Sequence, residues 1–160
     1  MGHTCLPTAR RILPSLTLAL LAMVIITLAA STRNVLADEE LAQHKVVIQS
    51  SSSDPELQGL ALVIAGNLQK HYGMDNVHIE VVAYGPGFGI LTKGNPNEQK
   101  VKSLIAQDVK FSACEGTMKF IASQNKGKMP ELIAGVGTVP DGAVRVIELQ
   151  EQGYSYLYPR

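Results

Sequence analysis

The chain has 160 residues, with 14 basic and 14 acidic side chains, a formal net charge of zero, two cysteines and no tryptophan. A balanced chain without basic runs lacks the electrostatic footprint that a nucleic-acid partner requires. Its length suits one domain with an ordinary core rather than several.

Arg10 and Arg11 precede an uncharged apolar run from Ile12 to Ala30, and Val35-Leu36-Ala37 follows with small residues at the positions a signal peptidase reads. A basic start, an apolar middle and a small-x-small end predict an export signal over residues 1–37, cleaved after Ala37. The competing reading is an uncleaved anchor, because the run is nearly long enough to span a bilayer. Residues flanking Arg10-Arg11 match a twin-arginine signal poorly. Cys5 lies ahead of the apolar run and so is not a lipid-attachment cysteine. The acidic cluster Asp38, Glu39, Glu40 then opens the mature chain, which fits translocation with the arginines held inside. Removing residues 1–37 leaves 11 basic against 14 acidic residues, a net charge of −3. No second apolar segment is long enough to cross a membrane. The expectation is an exported, periplasmic protein with one domain over 38–160 and no membrane attachment after cleavage.

The mature chain alternates strand-like and helix-like segments. Lys45 to Gln49 is β-branched and mostly apolar, a buried strand, and Asp54-Pro55 after the serines Ser50 to Ser53 predicts an N-cap with proline at the first helical position. Leu57, Leu60, Ala61, Ile64, Ala65 and Leu68 follow at helical spacing, with Gly73 as the stop. Val77 to Tyr84 predicts a second strand, ending in "GPGFG", Gly85 to Gly89. Asn95-Pro96 repeats the cap-plus-proline pattern and predicts a helix through Val101, Leu104 and Ile105. Val109 to Ala113 is a third strand with Cys114 at its end. Thr117 to Ser123 is helical, with Thr117 as its cap, and Ile133 to Val139 is a fourth strand. Asp141 caps a helix ending before Gly153, and Tyr154 to Tyr158 closes as a fifth strand.

Strands alternating with helices predict a three-layer α/β/α fold with a mainly parallel five-stranded sheet, flavodoxin-like in layout. Right-handed crossovers then place the strand-to-helix loops on one edge, where open α/β sheets carry their sites. Three loops share it: Ser50–Asp54, Gly85–Gly89 and Cys114–Thr117. Ser51, Tyr84, Gly85, Gly87, Glu115, Gly116 and Thr117 are therefore candidates to line a site around Cys114.

Export implies an oxidising compartment where cysteines pair, yet Cys114 has no partner in the mature chain. Such an odd cysteine implies an intermolecular disulfide or a reactive thiol; the alternative is a buried cysteine acting as a small apolar residue. Its place at a strand end, ahead of a helix whose N–H groups would favour a thiolate, points to a chemical role. The adjacent Glu115 opposes ionisation, and Lys119 is positioned in sequence to offset it.

The stretches "KVVIQSSSSDPELQGLAL", "AGNLQKHYGMDNVHIEVVAYGPGFGIL", "VKFSACEGTMK" and "VPDGAVRVIELQEQGYSYLYP" resemble the DsrE family (DsrE/DsrF-like sulfur-relay proteins), across nearly the whole mature chain. The resemblance implies an α/β/α fold assembled as trimers or hexamers. It also implies that a cysteine at the position of Cys114 accepts sulfur as a persulfide and hands it to a partner. The chain departs from the family where many members have a small or amide residue and it has Glu115. Export is a second departure, since better-studied members are cytoplasmic.

Other chemistry is thin. "GPGFG" lacks dinucleotide-fingerprint spacing and the Lys-Ser/Thr of a P-loop, so it reads as a tight turn. Ser50 to Ser53 fit turn and cap chemistry rather than a nucleophile elbow. His44, His71 and His78 form no ligand spacing, so no metal and no cofactor are expected. Two functions remain: a sulfurtransferase-like carrier that relays sulfane sulfur through Cys114, and a non-catalytic, oligomeric ligand- or partner-binding protein of the same fold. Tyr154, Tyr156 and Tyr158 alternate along the last strand and predict an aromatic row covered by a helix or a second subunit, hence a homo-oligomer.

Overall fold

A computed structural model describes residues 44–160. The expected signal segment 1–37, and with it the cleavage site, lies outside the described residues. Five strands form one sheet in the order β4-β3-β2-β1-β5: β1 His44–Ser50, β2 Val77–Ala83, β3 Lys110–Cys114, β4 Gly137–Val139 and β5 Ser155–Leu157. Every pairing is parallel; His44 meets Val77, Glu80 meets Lys110, Ser112 meets Gly137 and Val46 meets Ser155. Four α-helices connect them: α1 Pro55–Tyr72, α2 Glu98–Ile105, α3 Glu115–Gln124 and α4 Gly142–Glu151. This is the expected three-layer α/β/α architecture, with a wholly parallel sheet.

Alternation along the central strands divides the core in two. Val46, Ile48, Ile79, Val81, Phe111 and Ala113 face a large cluster with Leu62 and Ala65 of α1, Val101 and Leu104 of α2 and Met118 of α3. Val47 and Val82 face the other way, toward Val146 and Leu149 of α4 and Tyr154. Between successive neighbours β1, β2, β3 and β4 the chain steps in one direction, so right-handed crossovers stack α1, α2 and α3 on one face. The step back from β4 to β5 puts α4 on the other.

Several boundaries differ from the sequence reading, each for a local reason. Asp54 caps α1 as expected, its carboxylate accepting from the Glu56 N–H at 2.8 Å. Asn95-Pro96 instead forms a turn: the Asn95 side chain accepts from Asn97 N–H and donates to the Gly89 carbonyl, and helix α2 starts only at Glu98. Helix α3 begins at Glu115, so Thr117 lies inside its first turn and Cys114 occupies the cap. Of the fourth expected strand only Gly137–Val139 joins the sheet. Ile133 N–H bonds to the Leu91 carbonyl and Leu132 bridges Thr92 antiparallel, after which a turn from Ile133 to Val136 redirects the chain. The tyrosine row is split: Tyr154 is buried under α4, its N–H closing that helix on the Leu149 carbonyl, whereas Tyr156 and Tyr158 remain exposed.

One buried polar cluster ties α4 to the sheet. Glu80 of β2 is almost fully buried and accepts from Ser112 Oγ at 2.6 Å, from Arg145 Nε at 2.9 Å and from the terminal guanidinium nitrogen at 2.7 Å. A forked guanidinium on a carboxylate satisfies both groups with fixed geometry. Burial pushes the Glu80 carboxyl up, but the Arg145 and Ser112 hydrogen bonds and the nearby cations outweigh it and hold it below the ordinary carboxylate value. Arg145 lies on the first turn of α4, so this pair fixes where that helix begins.

Candidate functional site

Cys114 sits at the carboxyl end of β3, buried, and is the N-cap residue of α3 with no capping hydrogen bond of its own. The loops at this end of the sheet converge around it. From β2 come Tyr84 and the 3-10 segment Gly85–Leu91; from β4 comes Pro140-Asp141, which leads directly into α4. The Gly116 N–H bonds to the Pro140 carbonyl at 3.3 Å, which brings the starts of α3 and α4 together.

Two glycines permit this convergence. A Cβ on Gly87 would fall 2.4 Å from the Ser50 carbonyl oxygen, so only glycine lets the 3-10 segment lie against the end of β1. A Cβ on Gly142 would fall 2.6 Å from Tyr84 Cδ1, so glycine allows α4 to start directly beneath that ring. The Gly142 N–H thereby comes near enough to favour the Cys114 thiolate.

Opposing influences act on the thiol, and one side prevails. Burial pushes the Cys114 thiol up. The Thr117 hydroxyl, and then the backbone N–H groups of Thr117, Gly142 and Gly116, favour the thiolate strongly enough to bring it below the ordinary cysteine value. A second bond fixes Thr117 in this role. Its Oγ1 accepts from the Gly85 N–H at 2.9 Å, which leaves the hydroxyl proton to donate elsewhere. Glu115 has partners of its own. Its carboxylate accepts from Thr138 Oγ1 at 3.1 Å and lies 3.8 Å from the Lys119 ammonium.

Cys114 opens into a cleft of about 580 Å³. Of the residues expected from sequence, Tyr84, Gly85, Gly116 and Thr117 line it with Cys114. Ser51 does not: it accepts from Gln49 Nε2 at 2.9 Å and belongs to a separate small recess beside Tyr158 and Pro159. Gly87 is buried beneath the Ser50-Ser51 backbone, and Glu115 faces Thr138. Sequence reasoning missed Pro86, Phe120, Ile121, Asp141 and Ala143, which complete the walls. Asp141 is legible as a cap, but nothing local places its loop at this edge, because β4 is only three residues long.

Burial, with smaller contributions from Tyr156, Tyr158, Asp141 and Cys114, pushes the Tyr84 phenol up, so it stays protonated at neutral pH. Among the described residues, no three His, Cys, Asp or Glu side chains come together in a way that could hold a metal ion. No helix there is long and apolar enough to cross a membrane.

Fold and site together define a small parallel α/β/α domain with a thiol at a strand end, set among helix N-termini. The DsrE/DsrF-like family model matches residues 43–159, and the chain belongs to that family. A solved protein of unknown function from Methanobacterium thermoautotrophicum is 28% identical, with a TM-score of 0.65 over 72% of this chain and 99% of that one. The ychN protein from E. coli is 16% identical, with a TM-score of 0.57 over 72% and 98%, and shares the fold. Comparison with curated proteins finds no match.

Proposed function

We propose that the protein is a sulfur carrier in which Cys114 accepts sulfane sulfur as a persulfide and relays it to an acceptor. The observation that carries this reading is the placement of one thiol as the N-cap residue of α3, in a cleft it shares with the start of α4, where Thr117, Gly142 and Gly116 favour its thiolate. Membership of a family associated with sulfur relay supports it. In the loading step the Cys114 thiolate attacks the outer sulfur of a donor R–S–SH. A new S–S bond forms, the donor S–S bond breaks, and R–S⁻ leaves with the electron pair while the proton stays on the transferred sulfur. The product, Cys114–S–SH, is a stronger acid than the thiol, so the same donors hold its anion. Attack on the outer sulfur by an acceptor thiolate returns Cys114 to its starting state.

The test is incubation of the full chain with an organic hydropersulfide, followed by mass spectrometry of the Cys114 peptide. One added sulfur is expected, and none at this position in a folded Cys114→Ser variant. If Cys114 gains no sulfur, the non-catalytic binding reading replaces this one.

The same reading includes export with cleavage after Ala37, action in the periplasm, and self-association. Val144 and Ile147, one turn apart on the outer side of α4, are both more than half exposed and suit a subunit contact. N-terminal sequencing of the exported protein should begin at Asp38, and a start at Met1 would show an anchor. Sedimentation should show an oligomer at micromolar concentration, and a monomer would defeat the assembly claim.

A further inference from the structure

We infer that the cleft over Cys114 selects sulfur donors whose sulfane sulfur is carried on an uncharged, apolar organic group, and disfavours inorganic sulfur anions; this rests on the carrier reading above and names its substrate class. The first ground is the wall chemistry. Tyr84 and Pro86 form one side, Phe120 and Ile121 of α3 another, and Ala143 of α4 closes the third. A cleft of about 580 Å³ falls within the usual range of small-molecule sites and has room for a ring beside the sulfur. Phe120 is 66% exposed, a large aromatic side chain left for an apolar group to cover.

The second ground is charge. Among the described residues, no Lys, Arg or His lines the cleft, and its only carboxylate is Asp141. With Cys114 ionised, an entering anion meets two negative groups and no cation. Backbone donors do not substitute for one: those of Gly116, Thr117 and Gly142 act on the Cys114 sulfur itself, and the others nearby are taken. Gly85 N–H is held by Thr117 Oγ1, and Ala143 and Val144 N–H are held by the Asp141 carboxylate at 2.8 and 3.2 Å. Lys119, on the same helix as Phe120, is paired with Glu115 outside the lining.

The test compares three haloacetyl reagents on the full chain: N-benzyl-iodoacetamide, iodoacetamide and iodoacetate. Adducts are read on the Cys114 peptide, with each rate divided by that of a free cysteine derivative at equal thiolate fraction. The benzyl reagent should be enriched about tenfold or more over iodoacetate, the scale set by partial burial of one ring. Phe120→Ala should remove most of that enrichment, and because the side chain is exposed and supports no core the variant should stay folded. Ala143→Lys, at an exposed position on the wall, should raise the iodoacetate rate selectively. Equal normalised rates for all three reagents, or preference for iodoacetate, would overturn the inference. The carrier reading fails separately: benzyl-selective labelling without persulfide formation from any donor would sink the carrier and keep the cleft. Equal loading from benzyl hydropersulfide and inorganic tetrasulfide would do the reverse.

Discussion

Helices α3 and α4 start beside each other on the same edge of the sheet, and their first residues are capped by opposite means. Asp141 accepts from two N–H groups of α4. Cys114 stands at the same position of α3 and makes no capping bond. A carboxylate satisfies the orphan donors of a helix permanently, whereas a thiol does so only when it loses its proton. The fold therefore leaves donors at α3 whose partner is a charged sulfur, and it adds the Gly142 N–H from the neighbouring helix. One N-terminus is built to be stable and the other to hold a changing charge.

The largest expected effect comes from detaching α4. Arg145→Met would leave Glu80 buried with the Ser112 hydroxyl and the more distant charge of Lys110, costing about 3 kcal/mol in urea unfolding, as for other broken buried pairs. It should also raise the Cys114 pKa, because the start of α4 would no longer be held at the sulfur. Since the folded Glu80 pKa is lowered, its contribution to stability is present above the ordinary carboxylate value and lost as pH falls through the folded value. Acid unfolding should therefore be less steep in the double variant Glu80→Gln/Arg145→Met.

Gly142→Ala comes next. Its Cβ would overlap Tyr84, and overpacking of this kind costs about 1–3 kcal/mol. Thermal unfolding should show the loss, and the thiol should titrate higher. The two caps can then be compared directly: Asp141→Ala should cost about 1 kcal/mol, whereas Cys114→Ser should cost nothing or stabilise slightly, because serine caps well. Loss at Cys114→Ser equal to that at Asp141→Ala would show that the thiol is a structural cap after all. Thr117→Val should have the smallest effect on stability, about 0.5 kcal/mol for one partly exposed hydrogen bond. Its clearer signature is a raised Cys114 pKa, read from the pH dependence of alkylation.

Much of this architecture is legible in the chain. Asp54-Pro55 and Asp141 mark their helices because a cap's chemistry is local, and strand-helix alternation alone places Cys114 at the functional edge. What cannot be read is long-range. Glu80 looks like an ordinary strand residue, since its partner Arg145 is 65 positions away. Gly142 carries no signal because its necessity lies in the Tyr84 ring above it. Strand β4 is shorter than the apolar pattern suggests because Ile133, though apolar and buried, pairs its backbone with Leu91 rather than with the sheet.

The central claim is that the donors around Cys114 stabilise a charged sulfur, and the pH titration of this thiol tests it most directly. In the full chain carrying Cys5→Ser, thiolate absorbance and alkylation rate should share one midpoint below that of ordinary cysteine, shifting upward in Thr117→Val. A midpoint at or above the ordinary value, unmoved by that substitution, would contradict the account.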